Sequence, residues 1–146
     1  MQKTYKVFTY GLFADVDITL DTLPNAKFIG RGMLPDYEVI FADSGLLSAR
    51  YKRGKAAYGL IWELGTVDKS NLDLIEGIPI SYREERVYVK KFNFLPDKEL
   101  IKCSIYLKNT INEPKRVKHN TVIFYIQNFI RNGSPVSYYS QFYKYL

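Results

Sequence analysis

The sequence is poor in the residues that build metal centres and redox sites. Its 146 residues include one cysteine, Cys103, and one histidine, His119. A lone cysteine excludes an internal disulfide, and the pair leaves no cluster at metal-ligand spacing, so neither a metal nor another cofactor is expected. No C-x-x-C, G-x-x-x-x-G-K-[ST] or G-x-S-x-G pattern occurs, which removes the thiol-redox, P-loop and hydrolase-elbow chemistries. No apolar run approaches the roughly 20 residues that cross a bilayer. The opening Met1 to Lys6 has no apolar stretch behind it, so no secretory signal is expected. Together these absences predict a cytoplasmic protein with no membrane partner. Acidic residues are scarce in one region only. Residues 98–146 carry 8 Lys/Arg against 2 Asp/Glu, whereas residues 1–97 carry 13 of each, so the net charge of +6 belongs to the C-terminal third.

What is present suits one domain spanning 1–146. Hydrophobic residues make up 47% and charged residues 25%, enough to bury a core at this length. Alternation predicts strands over Thr4–Tyr10, Phe28–Leu34, Tyr37–Ala42, Ala56–Leu64, Arg83–Phe92 and Leu100–Leu107, with Pro35-Asp36 read as a turn. Along the last strand Ile101, Cys103, Ile105 and Leu107 share one face, which makes Cys103 a core residue rather than a nucleophile. Asp15–Leu23 is polar and fits neither period. A short helix is expected over Asp68–Glu76, capped near Thr66 or Asp68 and stopped by Gly77. A longer one follows over Asn120–Arg131, with Val122, Ile123, Ile126, Phe129 and Ile130 as its apolar stripe. The aromatic tail from Tyr138 to Leu146 is expected to pack back as a short helix. Strands joined by short connections, with one helix in the middle and one late, give an α+β class.

Few residues offer chemistry. His119, beside Lys118 at a helix start, reads as a surface or capping residue. Glu76 differs. It lies four residues after Leu72, on the side of its helix that should face the core. It also sits in the last turn, where the negative end of the helix dipole meets its charge. Burial and dipole both disfavour the carboxylate, raise its pKa, and suit a proton shuttle near neutral pH. The bland alternative is a frayed helix end with Glu76 in water.

The order of motifs resembles one family along nearly the whole chain. Val7-Phe8-Thr9-Tyr10-Gly11-Leu12-Phe13 is similar to the V-F-x-Y-G-[ST]-[LN] opening of γ-glutamylcyclotransferase-like proteins. Ala26–Gly30 and Leu34-Pro35-Asp36-Tyr37 resemble the second strand and its turn, and Tyr58–Leu64 the strand before the catalytic helix. Asn71-Leu72-Asp73-Leu74-Ile75-Glu76-Gly77 resembles the L-D-x-x-E-G signature. Tyr82-Arg83 with Val87-Tyr88-Val89, then Asn132-Gly133-Ser134-Pro135 with Tyr138, look like the later motifs. The resemblance implies a small mixed β-barrel flanked by helices. It also implies cyclisation of a small γ-glutamyl substrate to 5-oxoproline, with Glu76 as the catalytic acid/base. Tyr10, Gly11, Leu12, Phe13 and Tyr82 are the implied substrate-binding residues, the turn through its backbone N–H groups. Two departures stand out. Leu12 replaces the small hydroxyl residue after Tyr-Gly, making the pocket there more apolar. The late P-S-x-x-Y is absent, its place taken by Val117-Lys118-His119-Asn120-Thr121.

A second reading keeps the fold without the catalysis, as a binding module for an anionic partner, nucleic acid or acidic protein. Its carriers are Arg50-Tyr51-Lys52-Arg53-Gly54-Lys55 and Lys115-Arg116-Val117-Lys118-His119, set among 13 tyrosines. No recognition motif accompanies the charge, so the expectation is against a nucleic-acid partner.

Overall fold

The computed structural model of the chain describes residues 2–43, 45–93 and 95–146, the side chains of 93–98 excepted. Five strands close into a barrel: β1 (Tyr5–Thr9), β2 (Lys27–Phe41), β3 (Leu47–Leu64), β4 (Tyr82–Asn93) and β5 (Leu95–Lys108). Their order around the barrel is β1-β3-β2-β4-β5. All pairings are antiparallel except the closing one, where Val7 of β1 meets Ser104 of β5 in parallel. The helices are α1 (Val16–Thr22), α2 (Thr66–Glu76), α3 (His119–Arg131) and α4 (Val136–Tyr139), followed by a 3₁₀ segment over Ser140–Tyr145. The fold is therefore the expected α+β mixed barrel with flanking helices. Among the described residues no helix is long and apolar enough to cross a membrane.

Several local readings of the sequence need correction. Pro35-Asp36 is not a turn between two strands: β2 runs through it, with Pro35 opposite Ala56 and Tyr37 opposite Tyr51. The four residues 52–55 bulge out of β3 there, and Asp36, at φ 61°, accepts the Gly54 N–H on its carboxylate at 2.9 Å. A proline can sit in a strand at such a bulge because the ladder is already interrupted. Consequently residues 47–55 belong to β3, and the turn of the β2–β3 hairpin lies later, where Asp43 accepts the N–H groups of Gly45 and Leu46, each at 3.0 Å. The ambiguous segment from Asp15 is the helix α1, capped by the Asp15 side chain on the Ile18 N–H at 3.0 Å. Helix α2 starts after Gly65 with no side-chain cap, so neither Thr66 nor Asp68 serves as one.

Two cores meet on the sheet. One joins Phe8, Ile61, Val89, Cys103 and Ile105 to Tyr125 and Phe129 of α3 and to Tyr138, Phe142 and Tyr145 of the tail. The other gathers Val7, Leu60, Trp62 and Leu64 under Phe13, Leu23 and Leu72. Both faces of β1 and β3 are thus covered, which is why their apolar pattern is nearly continuous rather than alternating. Cys103 is fully buried, and burial pushes its thiol up to about 11. Gly59 is required by close approach: a Cβ there would lie 2.0 Å from the Thr9 carbonyl oxygen.

Candidate active site

Helix α2 brings Glu76 to the site. Leu72 is buried, and Glu76, one turn on, follows it onto the inward side. Gly77 ends the helix in the left-handed region at φ 68°, its N–H on the Leu74 carbonyl at 3.1 Å, while Ile78 N–H returns to Asp73 at 3.0 Å. That double closure fixes the turn carrying Glu76. The following loop is clamped by Asn109, whose side-chain amide donates to the carbonyls of Pro79 (2.7 Å) and Ile80 (2.9 Å).

Below Glu76, α2 is tied to the barrel by a polar network. The buried Lys69 ammonium donates to Asp73 at 2.8 Å and to Glu84 at 3.0 Å. Ser104 donates to Glu84 and Tyr106 to Asp73, each at 2.5 Å. Burial by itself would lower the Lys69 pKa, but the hydrogen bonds and charges of the two carboxylates outweigh it and hold the ammonium above its ordinary value.

The opposite wall is the turn after β1. There Leu12–Ala14 form a 3₁₀ turn closed by Ala14 N–H on the Gly11 carbonyl at 3.0 Å. The carbonyls of this turn are tightly held from behind. Phe13 O accepts Thr9 Oγ1 (2.7 Å), Thr19 Oγ1 (2.9 Å) and Trp62 Nε1 (3.3 Å). Ala14 O accepts the side-chain amides of Asn128 (3.0 Å), on α3, and Asn132 (2.6 Å), at its C-terminal cap. Among the described residues, the N–H groups of Gly11, Leu12 and Phe13 have no protein acceptor. Held carbonyls and free amides are the arrangement of an anion-binding turn.

Between α2 and this turn lies a cavity of about 270 Å³. Its lining includes all six residues singled out in the sequence: Tyr10, Gly11, Leu12, Phe13, Glu76 and Tyr82. Burial pushes the Glu76 carboxyl up to about 7. Among the described residues no cation pairs with it, so nothing offsets the loss of water. Four tyrosines surround the carboxylate: Tyr10, Tyr82, Tyr106 and Tyr125. Burial first, and the Glu76 charge besides, raise all four above the ordinary phenol value, which keeps them neutral donors. Tyr10 donates to the Tyr106 carbonyl, Tyr82 to the Leu47 carbonyl at 2.9 Å, and Tyr106 to Asp73. Tyr125 alone of the four has no protein acceptor among the described residues. The residues that carry a raised carboxyl, a neutral phenol and amides without a described protein acceptor thus line one small chamber. No cluster of three His, Cys, Asp or Glu side chains among the described residues could hold a metal ion.

The sequence model of the gamma-glutamyl cyclotransferase, AIG2-like family matches residues 7–123. The chain belongs to that family. A solved gamma-glutamyl cyclotransferase structure is 19% identical over 96% of this chain and 86% of its own, with a TM-score of 0.81. An uncharacterized human protein is 20% identical over 97% and 87%, also at 0.81. A mouse AIG2-like protein is 21% identical over 75% and 80%, at 0.59. At such identities the likeness is one of fold. No curated protein matches the sequence.

Within this cyclotransferase-like barrel, sequence reasoning missed Tyr106, Tyr125 and the donors behind the turn. Tyr106 alternates with the core residues Ile105 and Leu107, and its face of β5 carries Ser104 as well, so period alone gave it no inward direction. Tyr125 falls between the stripe residues Val122 and Ile126 and is buried with them, whereas Ile130, assigned to the stripe, is half exposed. His119 is exposed and does not line the cavity. Of the two basic segments, Arg50 reaches Glu113 at 3.9 Å, a carboxylate that Lys144 of the tail also meets at 3.3 Å. None of their cations lines the cavity.

Proposed function

We propose that the protein cyclises a γ-glutamyl amide to 5-oxoproline and releases the amine, with Glu76 as the general acid/base. One observation carries the reading: Glu76, whose carboxyl burial pushes up to about 7, lines one small chamber with Gly11, Leu12 and Phe13, whose N–H groups have no acceptor among the described residues. In the reaction Glu76 takes a proton from the substrate α-amine as its nitrogen attacks the γ-carbonyl carbon. The C–N bond to the departing amine then breaks, and the same carboxyl returns the proton to that nitrogen. The free amides of the turn are suited to the substrate carboxylate or the oxygen that gains charge during attack. Nucleophile and electrophile belong to one molecule, so the chamber chiefly has to hold the ring-closing pose. A carboxyl near 7 can both accept and donate a proton at neutral pH, which one near 4 could not.

The test is 5-oxoproline release from a panel of γ-glutamyl amides, amino acids and peptides. The account expects catalysed release from at least one member, together with a stoichiometric amine. Absence of release across the panel would sink it.

A further inference from the structure

The mouth of the cavity differs in chemistry from its floor. Three lining residues, Leu12, Leu46 and Ile75, are 44%, 46% and 52% exposed, so they form an apolar rim open to solvent. Among the described residues no lysine, arginine or histidine lines the cavity. The acids present are Glu76 on the wall and Asp43, near enough for its charge to act on the Tyr82 phenol. Two cations stand behind the lining: Lys108, over the Tyr82 ring at 5.5 Å, and Lys69, 5.5 Å from the Tyr106 ring and already paired with Asp73 and Glu84. Leu12 also stands where the family pattern carries a small hydroxyl residue, so part of this rim is a feature of this chain.

We propose that the rim of Leu12, Leu46 and Ile75 selects γ-glutamyl amides whose N-substituent is bulky, apolar and without charge, such as an arylalkyl group. The inference rests on reading the chamber as a cyclotransferase site. With the glutamyl carboxylate on the Gly11–Phe13 amides and the γ-carbonyl near Glu76, the departing group projects toward the mouth. An apolar group there covers the three aliphatic side chains and removes them from water. A carboxylate on the same group meets no counter-charge and two acids, so its desolvation goes uncompensated. The reaction is the balanced exchange already described: one C–N bond forms, one breaks, and a proton passes between the two nitrogens.

The decisive measurement uses a matched series: γ-glutamyl-phenethylamide, γ-glutamyl-phenylalanine, which adds only a carboxylate, and γ-glutamyl-methylamide, which removes the apolar body. Binding to the Glu76→Gln protein is read by calorimetry, and kcat/KM with the wild type by amine release. The phenethylamide is expected to exceed each of the others by on the order of tenfold or more, the usual worth of an apolar pocket contact. Leu46→Lys, at an exposed hairpin position, should narrow or invert the preference over γ-glutamyl-phenylalanine. Equal or tighter binding of γ-glutamyl-phenylalanine to the unaltered rim overturns the proposal, most sharply if Lys108→Ala abolishes that binding. The two levels separate cleanly. Ranked binding without turnover of any amide contradicts the cyclotransferase reading, whereas turnover without the ranking contradicts only the role of the rim.

Discussion

Glu76 is buried with no paired cation among the described residues, and two consequences can be measured. As a base it must be ionised, so kcat/KM should rise with pH through about 7 and level off above, losing activity on the acid side. A side-chain-labelled NMR titration should place the Glu76 carboxyl near 7, and a midpoint near 4 would remove the reason for choosing it. Stability follows the opposite trend. The folded carboxyl holds its proton to about 7 whereas an unfolded glutamate releases it near 4.5, so stability falls as pH rises through that window. Glu76→Gln should therefore be the more stable protein at pH 8, by about 2 kcal/mol, with the difference fading by pH 4. Urea melts at the two pH values check the sign. Tyr125, the cavity phenol whose hydroxyl has no acceptor among the described residues, should matter to substrate and not to folding: Tyr125→Phe is expected to raise KM by about tenfold, one charge-assisted hydrogen bond, with unfolding little changed.

Elements differ in how far the sequence exposes them. The helix carrying Glu76 was legible because Gly77 stops it and Leu72 sets its inward side, and both are local signals. Gly11 likewise marks the end of β1. The bulge at 52–55 was hidden, since Pro35-Asp36 reads as a turn unless the partner strand is known. The grip on the turn was hidden for the same reason: Thr9, Trp62, Asn128 and Asn132 reach Phe13 and Ala14 from β1, β3, α3 and its C-terminal cap, and nothing local in them announces it. This grip makes its own prediction. Replacing Asn128 and Asn132 together by alanine strips the Ala14 carbonyl of both side-chain donors and should cost about 1–3 kcal/mol of stability. It should also lower kcat/KM well beyond the fraction unfolded, because the free amides lose their fixed direction. Chemical melts and kinetics on the same preparation separate the two effects. An activity loss equal to the folded fraction lost would leave the turn a purely structural element.

At the scale of the whole molecule, the family match and the closed barrel agree with the order of motifs along the chain, although each motif alone is weak. The mixed closure was legible only through the family resemblance, because one parallel contact between β1 and β5 depends on where a distant strand arrives. The described cations of the C-terminal third lie outside the chamber lining, and Lys144 among them is met by Glu113. We expect this basic third to be a solvated face. Single-stranded oligonucleotides should then bind no tighter than about 1 μM at physiological salt. Sub-micromolar binding would argue for an anionic partner, above all if neutralising Lys115, Arg116 and Lys118 flattened a steep salt slope.

The central claim concerns one carboxyl in one chamber, and its most direct test sets wild type beside Glu76→Gln on the same γ-glutamyl amide. Glutamine keeps the shape of the side chain and removes the group that exchanges a proton. The account predicts that substrate binding survives within a few-fold while 5-oxoproline release falls by about 10²–10⁴ or more. Undiminished release from a folded Glu76→Gln protein would contradict it.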